Sequence, residues 1–449
     1  MSTEHSGSQL AFHKYNTALT IIRQLRQKGH TALLAGGCVR DILLRRRAQD
    51  YDIVTSALPQ EVKESFEHTI PVGEKFGVVK VLMAGVEFEV ATFRADAEYR
   101  DGRHPESVRF ATIQEDAARR DFTVNGMFYD PVDGKVLDYV GGQVDIQQRA
   151  IRAIGDPELR FSEDYLRMMR AVRFAVVLDF KIVGDTFKAV QANAPRITQI
   201  SPERIRGELE TMLLHPKRAA AVELLEDALL LPQILPEVSA CRGVKQGKLL
   251  HPEGDVWQHT LLALSLLQDP SFEFALAVLL HDIGKPATVD RTSERLFPDH
   301  ERVGEQMARE IASRLRLSKR ETETVAFLVR HHMALKDAPR MRKSTLKRIL
   351  SHEFFDYLAE IHRIDALSSN GDLTNYNFAM DARKALSAEA LKPKPLVNGD
   401  DLSAIGIPPS PVMGDILKKL YTAQLDEQIS TRDEALEMAR KLASGELKE

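Results

Sequence analysis

The sequence predicts an α+β fold: a mixed sheet-and-helix region first, then an all-helical remainder. Three observations carry this. Before about residue 155, short β-like runs alternate with turns and helical patches. After it, the apolar spacing is almost entirely that of helices. The chain has 449 residues, 43% apolar and 28% charged, which is ordinary globular composition. At roughly 150 residues per domain that is about three domains, and it excludes a disordered, collagen-like or disulfide-framework chain.

The elements follow in order. Strands are predicted at 31–35, 51–56, 77–83, 86–93 and 135–140, with helices around 10–28, 38–47 and 59–67. Asp133-Gly134 and Gly141-Gly142 supply turn punctuation. A helix is expected around 160–175, where Leu166, Met169, Val172 and Val176 fall on one stripe. Helices follow at 202–214, 219–230, 256–268, 273–281, 300–315, 319–332, 344–368 and 373–388. Pro393 and Pro395 mark a linker, and 411–422 and 432–444 close the chain. No internal repeat stands out.

Lys plus Arg is 61 and Asp plus Glu is 65, for a net charge of −4. That does not announce a nucleic-acid partner, although a local basic face would suffice for one. Two cysteines, Cys38 and Cys241, argue for a reducing compartment. No signal-peptide pattern and no apolar run long enough to span a bilayer is visible, so a cytoplasmic location is expected. Cys38 and Trp257 read as packing residues.

The richest stretch is LLAGGCVRDILLRRRAQDYDIVTS. An apolar strand runs into Gly36-Gly37 and a helix opens at once, an arrangement suited to cradling phosphate. It has neither the third spaced glycine of a dinucleotide fingerprint nor the Gly-Lys-Ser/Thr of a P-loop. Arg40 lies one turn into the helix, within reach of a phosphate. Asp50 and Asp52 then alternate on a β-like run, which places both on one face. Two such carboxylates can hold two Mg²⁺ ions for nucleotidyl transfer.

Gly36-Gly37-Cys38-Val39-Arg40-Asp41 followed by Asp50-x-Asp52 resembles the signature of the class II tRNA nucleotidyltransferase and bacterial poly(A) polymerase family, within the polymerase-β-like nucleotidyltransferases. Further motifs follow in that family's order. They are Arg119-Arg120-Asp121-Phe122-Thr123, Asp138-x-x-Gly141-Gly142 through Arg152, Glu163-Asp164-x-x-Arg167-x-x-Arg170, and Ser201-Pro202-Glu203-Arg204. The resemblance runs from about 30 to 210. It implies a catalytic head (1–155), a helical neck carrying a nucleotide-selecting helix (156–222), a helical body (223–392) and a tail (393–449). It also implies template-independent addition of C, C and A from CTP and ATP to the tRNA 3′ end, with Mg²⁺.

By the same resemblance Glu89 is the third catalytic carboxylate beside Asp50 and Asp52; Glu87 shares its strand face. Gly36, Gly37, Arg40, Arg119, Arg120 and Asp121 are expected around the nucleotide. Asp164 and Arg167, three apart on one helix face, are expected to read the base. A carboxylate accepts and a guanidinium donates, which suits cytosine and adenine and not uracil or guanine. Arg170 and Arg173 continue the helix toward triphosphate or primer. The polar stretch 97–111 corresponds to a flexible loop used in switching from C to A. Gly73-Glu74-Lys75-Phe76-Gly77 lacks the basic pair typical of poly(A) polymerases and looks like the CCA-adding side.

A second constellation joins His259, His281-Asp282 and Asp365, with His300 and His331-His332 as further ligands. It resembles the HD metal-dependent phosphohydrolases, and implies a divalent metal such as Ni²⁺ or Mn²⁺. The basic run Lys336, Arg340, Arg342, Lys343, Lys347 and Arg348 would suit RNA, although such runs are usually solvated faces. The alternatives are a poly(A) polymerase or an enzyme adding only A, and an HD phosphohydrolase with a nucleotide-sensing N-terminal half. A non-catalytic RNA-binding protein is disfavoured by the Asp50/Asp52 pair.

Overall fold

A computed structural model describes residues 2–71, 76–96, 108–247, 254–290 and 296–446. The chain forms two compact units, Met1–Pro236 and Glu237–Glu449.

In the first unit, α1 (Ser2–Gln27) precedes β1 (Ala32–Ala35), α2 (Gly37–Leu43), β2 (Asp52–Thr55), α3 (Pro59–Ser65), β3 (Thr69–Ile70), β4 (Val78–Met83) and β5 (Val86–Thr92). Next come β6 (Arg94–Asp96), β7 (Val108–Phe110), α4 (Ile113–Ala118), β8 (Phe128–Asp130) and β9 (Lys135–Leu137). Seven strands form one sheet in the order β3-β4-β5-β2-β1-β8-β9. The β2–β5 pair is parallel and the rest are antiparallel. Strand β1 is buried on both faces. Leu34 packs with Ile21, Ile22 and Leu25 of α1 on one side. Leu33 and Ala35 pack with Val54, Phe93 and Phe128 on the other. The alternation of side chains along a strand therefore splits one apolar run between two cores.

Helix α5 (Gly142–Gln148) and β10 (Ala150–Ile151) lead to α6 (Pro157–Glu163), α7 (Leu166–Leu178), β11 (Lys181–Ile182), α8 (Gly184–Asn193), α9 (Pro202–Leu214) and α10 (Arg218–Asp227). The single helix expected around 160–175 is two. Asp164 is extended, with φ −153°. Its carboxylate accepts the Leu166 amide at 3.1 Å, satisfying a first-turn donor of α7. The predicted stripe of Leu166, Met169, Val172 and Val176 is buried along α7.

Short helices α11 (Leu231–Ile234) and α12 (Pro236–Ser239) are followed by α13 (Val256–Ser265), α14 (Phe272–Leu280), α15 (Lys285–Thr288), α16 (His300–Arg314) and α17 (Lys319–His331). Then come α18 (Lys343–Leu350), α19 (Phe355–Leu367), α20 (Thr374–Ala385), α21 (Ala388–Leu391), α22 (Gly399–Ala404), α23 (Pro411–Leu425) and α24 (Arg432–Ser444). The helix expected over 344–368 breaks into α18 and α19, because the His352 ring accepts the Phe354 amide at 3.1 Å in a turn. Residues 397–442 build a core of their own around Leu402, Ile416 and Leu420. Much of the basic run docks those helices. Lys343 and Lys347 pair with Glu427, and Arg348 donates to Thr422. Among the described residues no helix is long and apolar enough to cross a membrane.

Candidate functional site

Strand register builds the first site. Ala35 pairs with Asp52, so Asp52 starts β2 directly beside the Gly36 turn. The parallel register Ile53–Val90 sets Asp52 next to Glu89 on β5. Gly36 has φ +73°, a conformation that favours glycine. A Cβ there would lie 3.3 Å from Arg120 Nη1 and 3.7 Å from Asp52 Oδ2. Asp50 lies just before β2 rather than within it, and is largely exposed. Lys14, Asp50, Asp52, Lys80, Glu87 and Glu89 line a pocket of about 290 Å³. Lys14 Nζ contacts Asp50 at 2.9 Å, and Lys80 Nζ contacts Glu87 at 3.1 Å. Burial, then Glu89 and Asp50, push the Asp52 carboxyl up, while Arg120 opposes them. The crowding of Asp50, Asp52 and Glu89, with Glu87 paired to Lys80 beside them, suits a divalent cation, which would relieve that repulsion.

The expected nucleotide-binding arginines are engaged in a network. Arg40 donates to Asp41 and, at 2.7 Å, to Asn125 Oδ1. Asn125 donates to Asp121, which accepts Arg170 Nη2 at 2.6 Å. Arg173 Nε reaches Glu208 of α9 at 2.6 Å, and Arg170 Nη1 lies 3.8 Å from the same carboxylate. Arg40, Arg170 and Arg173 all lie over the Phe174 ring, at 5.5, 5.2 and 4.1 Å. Asp116 is fully buried and holds Arg119 through Oδ1 and Arg120 through Oδ2. Burial works against both carboxylates, yet their arginines hold Asp116 and Asp121 below the usual carboxylate range.

Asp164 and Arg167 do not form a pair on one helix face. Asp164 lies between α6 and α7 and binds Arg204 of α9 at 2.6 and 3.1 Å. Arg167 pairs with Glu163 and donates to the Arg160 carbonyl at 2.9 Å. The break in the helix separates their partners. Residues 72–75 and 97–107, on which the Glu74-Lys75 and loop readings rest, lie outside the described residues.

The second site lies in the second unit. His281-Asp282 follows α14, and Gly284 lets the start of α16 come close: a Cβ there would lie 2.0 Å from the His300 carbonyl oxygen. Two triads result, His259-His281-Asp365 and Asp282-His300-His332, each with donor atoms within 4.8 Å of one another. Of the expected pair His331-His332, the structure brings His332 into the cluster and leaves His331 out of it. Adjacent helical residues point about 100° apart, and His332 is buried while His331 packs on Phe327. The spacing Val325, Leu328, Val329, His332 marks that buried face in the sequence.

The Nδ1 atoms of His259, His281, His300 and His332 face the carbonyls of Ser368, Val278, Phe297 and Val329, at 3.3, 2.7, 3.0 and 2.8 Å. A carbonyl only accepts, so each Nδ1 carries the proton and each Nε2 presents a lone pair. The Nε2 atoms of His259 and His281 lie 3.2 Å apart, and Asp365 Oδ1 lies 3.1 Å from the former. Asp282 places Oδ2 3.3 Å from His281 Nε2 and Oδ1 3.4 Å from His300 Nε2. Asp282 Oδ1 and His300 Nε2 are buried acceptors without hydrogen bonds. Converging lone pairs on imidazole and carboxylate fit a divalent transition metal. Burial and the neighbouring His281 push His332 down to about 4. Although burial opposes its charge, Lys285 and His281 hold Asp282 well below its usual range.

Sequence reasoning quoted Arg204 within a motif without giving it a partner, and it missed Asp116, Glu208, Lys14, Lys285 and Gln246. They come from elements that carry no motif of their own or from motif flanks, and only the fold brings them to the sites.

Residues 32–152 match the family described as Poly A polymerase head domain, 179–241 the probable RNA and SrmB-binding site of polymerase A, and 256–360 the HD domain. A CCA-adding enzyme of Geobacillus thermodenitrificans is 49% identical over 214 residues, 47% of this chain and 53% of the relative. That match spans about half of the relative's length. Another CCA-adding enzyme, from a second Geobacillus, is 39% identical over 303 residues, 63% of this chain and 74% of the relative. The crystal structure of the Bacillus stearothermophilus CCA-adding enzyme in complex with CTP matches with a TM-score of 0.70 and 30% identity, covering 96% of this chain and 98% of that one. With that identity and coverage, and with one shared architecture over nearly the whole chain, the chain belongs to the CCA-adding enzyme family.

Proposed function

We propose that this chain adds C, C and A, without a template, from CTP and ATP to the 3′ end of tRNA. The observation that carries the reading is the meeting of Asp50, Asp52 and Glu89 in one pocket beside the Gly36-Gly37 turn. Asp50 and Asp52 would hold Mg²⁺, with Glu89 as the third carboxylate. Bound there, the ions would activate the primer hydroxyl and neutralise the triphosphate. The Gly36-Gly37 turn lets the backbone approach the phosphates. Arg120, aimed by Asp116 at that turn, would take up triphosphate charge, with Arg119 beside it. Arg40, Asp121, Arg170 and Arg173 form the hydrogen-bonded frame behind the nucleotide. Asp164 and Arg167 would read the base edge, Asp164 exchanging Arg204 for the exocyclic amine of cytosine or adenine. Replacing Asp52 with Ala tests this reading. Incorporation should be nearly abolished while the melting temperature holds; normal turnover by the folded variant would overturn it.

In the second unit, His259, His281, His300, His332, Asp282 and Asp365 would hold a divalent ion such as Ni²⁺ or Mn²⁺. Asp282, with one oxygen toward each triad, would link them. When bound, such an ion supplies a Lewis acid and an activated water for phosphoester hydrolysis. The support is the set of Nε2 lone pairs and the buried acceptors Asp282 Oδ1 and His300 Nε2. Metal content of the purified chain, and its action on a 2′,3′-cyclic nucleotide, test this half. Neither metal nor hydrolysis would leave the cluster a remnant.

A further inference from the structure

Beside the acceptor-rich triads, joined to them through Asp282, lies a patch of opposite polarity. Lys285, buried at the start of α15, donates from Nζ to Asp282 Oδ2 at 2.5 Å and to Gln246 Oε1 at 2.6 Å. An ammonium only donates, so this contact fixes the Gln246 amide with its oxygen toward Lys285. Its Nε2 must then face away from Lys285. That atom is buried and has no hydrogen-bond partner, in a residue 7% exposed.

The segment carrying Gln246 is anchored. Val256 donates to the Val244 carbonyl at 3.0 Å, Gly243 donates to Asp255 Oδ2 at 2.6 Å, and Lys245 bridges to Asp255. The amide is therefore held in place and not free to turn to solvent. A buried N–H donor left without an acceptor costs roughly 1–3 kcal/mol, so its retention calls for an oxygen ligand. The buried acceptors of the adjoining triad, Asp282 Oδ1 and His300 Nε2, call for a cation instead. Donors for an oxyanion beside acceptors for a metal are the two halves of a site for a metal-bound phosphoester.

We propose that Gln246 Nε2 and Lys285 Nζ form the phosphate-oxygen subsite of the HD cluster, taking a non-bridging oxygen of a phosphoester bound at its metal. This rests on the metal reading above. Gln246 provides the neutral directional donor, and Lys285 provides positive charge and holds the amide in orientation. No bond is made or broken by either residue.

Inorganic phosphate and uridine 2′,3′-cyclic phosphate serve as probes, titrated by calorimetry into the full chain loaded with Ni²⁺ or Mn²⁺, with metal content measured in parallel. Gln246→Leu removes the donor. Gln246→Glu keeps an oxygen for Lys285 but turns the unpartnered donor into an acceptor, and so separates donation from anchoring. Wild type should bind both probes. Gln246→Leu should bind about tenfold more weakly, the loss of one charge-assisted hydrogen bond, and Gln246→Glu should not bind measurably, both at wild-type metal content. Unchanged phosphate affinity in metal-loaded Gln246→Leu and Gln246→Glu would overturn the subsite. Binding of inorganic phosphate without the cyclic ester would overturn its assignment to phosphoesters. A wild-type chain that takes up no metal would overturn the metal reading, and the subsite with it.

Discussion

Replacing Asp116 with Asn tests whether one buried carboxylate organises the Arg119-Arg120 pair. The residue is fully buried. Its Oδ1 accepts from Arg119 at 2.9 and 2.8 Å, and its Oδ2 from Arg120 at 3.1 and 3.0 Å. Asparagine keeps one acceptor oxygen and turns an amide against the other guanidinium. Two charge-assisted hydrogen bonds are lost, each worth about 1.5–3 kcal/mol. The Arg119 and Arg120 side chains are 19% and 17% exposed and can turn partly to water. The net loss should therefore sit near the lower end, about 3 kcal/mol. For a unit of this size that lowers the melting temperature by roughly 6–12 °C. Calorimetry on the purified variant reads it directly. The same variant should raise KM for CTP and ATP, because Arg120 loses its aim at the Gly36 turn. A melting temperature within about 2 °C of wild type, with KM unchanged, would refute the reasoning.

In the HD cluster, His332→Ala should lower bound metal and His331→Ala should not; equal metal content in both would return the ligand role to His331. The pH dependence of the first unit follows from Asp116 and Asp121, whose carboxyls are held below their usual range. The unfolded chain then binds more protons, so their stabilisation is complete above about pH 4 and is lost as pH falls through the lowered folded values. Acid unfolding of Asp121→Asn should show a flatter slope below about pH 4 than wild type; matching slopes would contradict the assignment. Asp164→Ala should admit UTP or GTP, and Arg167→Ala should weaken CTP and ATP use together, read as incorporation of each nucleotide alone. Wild-type selectivity in both would make the two residues structural.

The sheet was readable because its strands carry apolar alternation bounded by glycine turns, and all five predicted strands begin within a residue of where they lie. Short elements such as β3, β6 and β10 have too few residues to carry a period. The helix breaks at Asp164 and at His352 were not legible, because each depends on a side chain hydrogen-bonding to a nearby amide rather than on a glycine or proline. The family resemblance brought Glu89 forward, and local pattern brought Asp52, His281 and Asp282. It could not supply Asp116, Glu208 or Gln246, since each matters only through a partner that the fold delivers. The sequence offered His331 and His332 together as ligands, and the buried stripe of α17 is what singles out His332. Of the basic run that would have suited RNA, Lys343, Lys347 and Arg348 are engaged with α23 and its following turn.

The most direct measurement is to sequence tRNA 3′ ends after incubation of the full chain with a transcript ending before CCA, Mg²⁺, and CTP and ATP alone and together. CTP alone should add two cytidines, and both nucleotides together should add C, C and A and then stop. A growing adenosine tract, addition of A alone, or no addition by the folded chain would contradict CCA addition.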